Sequence, residues 1–180
     1  MTNSRWIDDG PFGATFSPCR KYRYSLWRRW GRERTLFDLP VSGDDNCLCG
    51  FIGVNPSTAD EIENDRTVNR CIAFAKDWGF SGMVMLNCFG FRDTDPTVMF
   101  AQDEPIGPEN NDVLEYFANT LPRIVCAWGN AGLHRGRSSD VRRILRGRDN
   151  VFHLGLTTAG EPKHPLYLLR ATEPELWKID

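Results

Sequence analysis

Four short apolar runs divide the chain after residue 46: Leu48-Cys49-Gly50-Phe51-Ile52, Met83-Val84-Met85-Leu86, Arg123 to Trp128 around Ile124-Val125-Cys126, and Asn150 to Leu154 around Val151-Phe152. Runs of this length, rich in β-branched and aromatic residues and bounded by turn residues, predict buried strands. Between them the apolar positions change period. Val68, Cys71, Ile72, Ala75 and Trp78 recur at helical spacing, so a helix is expected from Arg66, capped by Asn64 or Asp65 and ended by Gly79. A second helix is expected over residues 111–120, stopped by Pro122. A third runs from Arg135 to Leu145, with Val141, Ile144 and Leu145 facing inward. Strand and helix thus alternate from Cys47 onward, which predicts an α/β fold: a three-layer α/β/α arrangement with a central, mostly parallel sheet of about four strands. In front of it, Ala14-Thr15-Phe16 and Tyr22 to Trp27, joined by a Ser-Pro turn, predict an N-terminal β-hairpin whose second strand is half exposed. One domain is expected over 1–180, with residues 1–46 as hairpin and extension, including a polar loop at Ser42 to Asn46, and residues 47–170 as the α/β core.

Composition narrows the class. The 180 residues contain no apolar run approaching the roughly 20 residues of a membrane span, and Met1 to Trp6 lacks the order of a signal peptide. A soluble, cytoplasmic protein without a membrane partner is expected. The cysteines at 19, 47, 49, 71, 88 and 126 lack the paired spacing of zinc or iron–sulfur sites and are read as reduced thiols within the apolar pattern. The net charge of −2 conceals two basic segments: seven cations and one acid between Arg20 and Arg34, and six arginines and one acid between Arg135 and Arg148. Brought together they would form a phosphate-contacting rim, with Arg135, Arg137, Arg142 and Arg143 as backbone contacts; apart, they are ordinary solvated faces.

Candidate chemistry gathers at the strand ends. The first buried strand leaves through Gly53-Val54-Asn55-Pro56-Ser57, the second ends on Asn87, the third exits through Gly129-Asn130, and His164-Pro165 lies beyond the fourth. In open α/β sheets the C-terminal ends of the strands carry the ligand site. The acidic stretch Thr58 to Asp65 lacks the alternating ligands and central glycine of a calcium loop, so a solvated loop is expected and no metal.

These motifs, in this order, resemble the uracil-DNA glycosylase superfamily. Gly53-Val54-Asn55-Pro56 resembles its first motif, Leu86-Asn87 its base-reading strand end, and His164-Pro165-Leu166-Tyr167 its His-Pro motif. Pro122 to Ala131 is similar to the intervening strand and glycine turn. A closer likeness is to a bacterial and phage family of unknown function sharing the Gly-Val-Asn-Pro-Ser and His-Pro-Leu-Tyr signatures. Ser57 stands where the glycosylases carry Gly or Tyr, their water-activating Asp is absent, and the cysteine spacing of the cluster-bearing branch is not reproduced. No cofactor is therefore expected.

The resemblance implies base flipping and hydrolysis of the N-glycosidic bond of a modified or damaged, pyrimidine-like base in DNA, and DNA or a nucleotide is the expected partner. His164 would stabilise charge on the departing base and Asn55 would orient water, the catalytic pair. Asn87 would read a pyrimidine-like edge with two hydrogen bonds. Gly53, Pro56, Ser57 and Asn130 would line the site, Phe89, Phe91 or Trp128 would stack on the base, and Arg92 would contact substrate. Two other readings fit the same residues: a non-catalytic nucleic-acid or nucleotide-binding module, and a hydrolase of free nucleosides or nucleotides.

Overall fold

A computed structural model describes residues 5–31 and 47–179. The expected polar loop at Ser42 to Asn46, and Arg32, Glu33 and Arg34 of the first basic segment, lie outside the described residues. Seven strands form one mixed sheet: β1 (Phe12–Phe16), β2 (Arg23–Arg29), β3 (Leu48–Gly53), β4 (Gly82–Asn87), β5 (Arg123–Cys126), β6 (Val151–His153) and β7 (Glu175–Leu176). Their order across the sheet is β1-β2-β4-β3-β5-β6-β7. β3 pairs in parallel with β4 and β5, and β5 with β6. The β1–β2, β2–β4 and β6–β7 pairings are antiparallel. The expectation of about four, mostly parallel strands therefore undercounts the sheet. The hairpin does not merely precede the core but extends it through β2, and a two-residue strand closes the other edge. Glu175–Leu176 is too short to give a period, which is why it left no signal.

Helices α1 (Arg66–Asp77), α2 (Pro96–Phe100), α3 (Asn110–Thr120) and α4 (Arg137–Leu145) connect the strands. Strand parity decides which helix each side chain meets. Cys49 and Phe51 of β3, Met83 and Met85 of β4, and Val125 of β5 pack with Val68, Cys71, Phe74 and Ala75 of α1. Their alternates Leu48, Ile52, Val84, Leu86, Ile124 and Cys126 pack with Val113, Leu114 and Phe117 of α3 and with Val141 and Leu145 of α4. Both faces of the central strands are thus buried, which is why their sequences read as continuous apolar runs.

β2 departs from the half-exposed strand expected of it: every residue from Arg23 to Arg28 is buried. β1 covers its outer edge, and the register slips between Thr15 and Phe16, so Thr15 faces Ser25 while Phe16 faces Arg23. The extra residue, Tyr24, reverses the strand's phase. Arg23 and Arg28 consequently both reach the loop before α1. Arg23 donates from Nη1 to the Ala59 carbonyl at 2.5 Å. Arg28 donates from Nε to Asn64 Oδ1 at 2.7 Å and from Nη2 to the Asp60 and Glu63 carbonyls. These arginines of the first basic segment are internal braces for an acidic loop, not a rim for phosphate.

Candidate functional site

The site is built at the C-terminal ends of β3 and β4. The loops leaving these two strands continue side by side: Cys88 N donates to the Gly53 carbonyl and Phe89 N to that of Val54, both at 2.9 Å. Further out, Asp93 N donates to the Pro56 carbonyl at 3.0 Å. Asn55 completes the seam, its Nδ2 donating to the carbonyls of Asp93 at 2.9 Å and Pro56 at 3.1 Å. Only its Oδ1 is left to meet a water. A Cβ at Gly53 would lie 2.6 Å from Met85 Cε, the movable end of a flexible side chain, and 3.2 Å from Asn87 Oδ1, so a larger residue there would crowd the Asn87 amide.

Asn87 is opposite Gly53 in the β3–β4 register and shares the parity of Met85, so its side chain faces the α1 layer. It is 1 % exposed, and neither Oδ1 nor Nδ2 has a hydrogen-bond partner among the described residues. A buried primary amide with both ends unbonded carries the full desolvation cost of two polar groups, so its retention calls for a role. Its backbone is fixed from the other face. Asn110 Nδ2 bonds the carbonyls of Asn87 and Cys88, both at 3.0 Å, and Arg137 Nε bonds the Cys88 carbonyl at 2.7 Å.

His164 belongs to the same layer. It caps a short 3₁₀ helix, Pro165–Tyr167, which packs on α1, where the Arg70 guanidinium bonds the Leu168 carbonyl. His164 Nδ1 accepts from Leu166 N at 3.4 Å, so the neutral ring carries its proton on Nε2. Burial lowers the pKa of this imidazole from its ordinary value, and the Asp65 carboxylate partly opposes that shift. Asp65 itself caps α1, accepting from Val68 N at 2.8 Å, as one of the two expected caps. Thus Gly53, Asn55 and Asn87 adjoin one another at the ends of β3 and β4, and His164, with a neutral Nε2–H donor, lies against α1 within electrostatic reach of its cap, Asp65.

Other expected site residues are placed differently. Phe89 is fully buried against Phe100 and His134, and Trp128 is buried with Nε1 donating to Glu161 Oε2 at 2.6 Å. Neither has a free face for stacking, whereas Phe91 lines a cleft. Asn130 is exposed and accepts from Thr157 Oγ1 at 2.7 Å, tying two loops together. Pro56 is buried within the seam, whereas Ser57 and Arg92 line the same cleft as Phe91.

The second basic segment is mixed: Arg137 is buried, Arg142 and Arg148 are partly buried, and Arg135, Arg143 and Arg146 are exposed. Arg137 is 1 % exposed beneath the β4 exit, and its burial pulls its pKa down. Arg142 Nη2 bonds Glu161 Oε1 at 2.8 Å and the Gly160 carbonyl at 2.9 Å, with its guanidinium over Trp177. Arg135 bonds the Asp103 carbonyl, and the exposed Arg143 pairs with Asp140 on its own helix. Arg137 is therefore corrected from a backbone contact to a brace, whereas Arg142, though paired with Glu161, still lines a surface cleft with Arg143 and Arg146.

Three structural residues gave no functional signal in the sequence. Glu161, 2 % exposed, accepts from Trp128, Ser138 and Arg142 and joins the β5 exit to α4. Asn110 stands one residue before the expected start of its helix, and Arg23 sits in a strand of mixed composition. The buried thiols behave as core residues: burial raises the pKa of Cys49, Cys71 and Cys126, and that of Cys88 to about 12. Among the described residues no group of three or more His, Cys, Asp or Glu side chains is placed to hold a metal, and no helix is long and apolar enough to cross a membrane.

Comparison with curated proteins and with solved structures gives no match. One family does match, over residues 23–166, a span that runs from the first residue of β2 through Asn55 and Asn87 to the His-Pro turn. The chain belongs to that family, described as protein of unknown function (DUF1643).

Proposed function

We propose that this protein recognises a nucleobase through Asn87 and hydrolyses the N-glycosidic bond that holds it, as a glycosylase-like enzyme acting on a pyrimidine-like base in DNA. The observation that carries the reading is the Asn87 amide, buried with both hydrogen-bonding atoms unpartnered at a strand end. An amide of this kind offers one acceptor and one donor in a fixed plane, the complement of a pyrimidine N3–H and O4 edge. The strand-end arrangement, with central parallel strands and the His-Pro turn over α1, supports a uracil-DNA glycosylase-like site.

In the proposed reaction water adds to C1′ of the sugar and the C1′–N bond breaks with its electron pair moving onto the base. The proton released by the water returns to the base, so the products are the free base and a sugar hydroxyl. His164 would donate its Nε2–H to the base oxygen on which charge develops, without transferring the proton. Burial favours the neutral ring this role needs. Asn55 Oδ1 would orient the water.

Abasic-site formation on single- and double-stranded DNA carrying uracil and modified pyrimidines tests the reading. Cleavage of at least one substrate is expected, reduced at least ~100-fold in His164→Ala, in line with the loss of a stabilising donor. No cleavage across the panel, or unchanged rates in His164→Ala and Asn55→Ala, would remove the catalytic assignment. One observation favours a second reading, a non-catalytic nucleotide-binding module: the Asn55 amide nitrogen already holds two loop carbonyls. That reading predicts base binding lost in Asn87→Ala with no product formed.

A further inference from the structure

A cleft of about 400 Å³ opens beside the Asn55 turn, lined by Arg20, Lys21, Ser57, Phe91, Arg92, Asp93 and Thr94. We infer that it is a phosphate-binding subsite, so that the base read by Asn87 is presented as a nucleotide, with its phosphate held by Arg92, Lys21 and Ser57. The inference rests on the base-recognition reading for what is attached to the phosphate, and on the cleft alone for the phosphate itself.

Charge comes first. Three cations converge on this cleft, and the carboxylates around it are already engaged. Arg20 is paired with Glu61 at 2.8 Å. Asp93 Oδ1 accepts from Asp95 N, and Asp60 Oδ1 from Ile62 N and Glu63 N. Neither Lys21 nor Arg92 makes a side-chain ion pair among the described residues. Arg92 also has its Nε buried without a hydrogen-bond partner. The guanidinium groups of Arg20 and Arg92 both lie over the ring of Phe16, at 4.1 and 4.6 Å from its centroid, so two like charges are held against one aromatic residue. Beneath them Arg23, 1 % exposed, lies within electrostatic reach of Arg92 but also of Asp65 and Asp60, so it remains a brace of the acidic loop and the cleft's own cations are the three above. Packing like charges together costs free energy that an anion in their midst would offset.

Placement comes second. Arg92 is tied to the hairpin, its backbone N donating to the Lys21 carbonyl at 3.0 Å, so the two unpaired cations stand on adjoining strands of chain. Ser57 is two residues beyond Asn55, a separation of at most about 7 Å along the backbone and comparable to the span of a pentose between base and phosphate. Asn55 and the cleft are joined directly, since the Asn55 amide bonds the carbonyl of Asp93, a residue of the cleft wall. Phe91 supplies the apolar side against which a sugar would rest. The phosphate could be the monoester of a free nucleotide or a diester of a strand, and the chemistry of the cleft serves both.

Titration with inorganic phosphate at low ionic strength, read by ³¹P line broadening and by Tm, tests the subsite without any base. Wild type is expected to bind, and Arg92→Gln and Lys21→Gln to bind at least ~10-fold more weakly, the loss expected for one charge-assisted contact. Arg92→Lys should recover part of the affinity, and Lys76→Gln, an exposed position in the last turn of α1 at the opposite end of that helix from Asp65, should change nothing. Lys21 is exposed, so its variant reports binding and not folding. Absence of phosphate binding, or binding by Arg92→Gln and Lys21→Gln as tight as that of wild type, overturns the subsite.

Calorimetry with deoxyuridine, its 5′-monophosphate and a uracil-containing trinucleotide then separates the two readings. If phosphate binding depends on Arg92 but the nucleoside adds nothing, the subsite stands and base recognition falls. If deoxyuridine binds through Asn87 and the 5′-phosphate adds nothing, base recognition stands and the subsite falls. Equal affinity for monophosphate and trinucleotide identifies a free nucleotide; tighter binding of the trinucleotide identifies a strand.

Discussion

Asn87 combines a stability cost with the recognition role proposed for it, and the two can be separated by one substitution. Leu has a similar volume and no polar atoms, so Asn87→Leu should stabilise the protein by about 1 kcal/mol in urea unfolding, the cost of leaving such an amide unbonded. The same variant should lose affinity for deoxyuridine. A clear loss of stability would mean that the amide has a partner within the fold. Asn87 was legible in the sequence because a polar residue ends a buried run there. Phe89 and Trp128 were not distinguishable from stacking groups, because an aromatic residue after a strand has the same local pattern whether it turns toward solvent or into the core. Arg137 did carry a signal that its charge obscured: it precedes Val141 and Leu145 by four and eight residues, on the same buried stripe of α4.

At the level of elements, the loop from Thr157 to Lys163 is fastened by Glu161. Removing that carboxylate orphans the Arg142 guanidinium and the Trp128 indole together, so Glu161→Ala should cost about 3–5 kcal/mol, measured by chemical unfolding. Glu161→Gln, which keeps an acceptor, should cost less. At the start of α1, Asp65→Ala should cost about 1 kcal/mol through the lost cap. It should also lower the His164 pKa further, observable by NMR titration, since Asp65 is the charge that opposes burial there. The helices and central strands were legible because each has a single period over several turns or alternations. The five-residue α2 and the two-residue β7 were not, and the burial of β2 depended on β1 and on a register slip that no local pattern encodes.

For the molecule as a whole, the histidines set the response to mild acid. His153 and His164 both have pKa values lowered by burial, and in each the ring Nδ1 accepts a backbone N–H that protonation would break. A lowered histidine pKa means that the unfolded chain binds protons more readily than the folded one. Stability is therefore full above the unfolded value of about 6.5 and declines as pH falls below it. Unfolding free energies measured from pH 8 to pH 5 should show that decline, and the His153→Gln/His164→Gln double variant should show a shallower one. Carboxylates with lowered pKa values, such as Asp60, Asp77 and Asp95, act in the same direction only at still lower pH.

The order of the strands has a consequence for how the protein is made. β3 lies between β4 and β5, both of which follow it in the chain, and the loop beyond Asn87 is braced by Asn110, which comes before β5, and by Arg137, which follows both strands. During synthesis the Asn55 turn emerges early and must wait for partners more than 80 residues downstream before its surroundings are complete. Such long-range closure is slow compared with local helix formation. A nascent chain ending before Arg137 should hold neither base nor phosphate, so the recognition surface is among the last parts of the fold to mature.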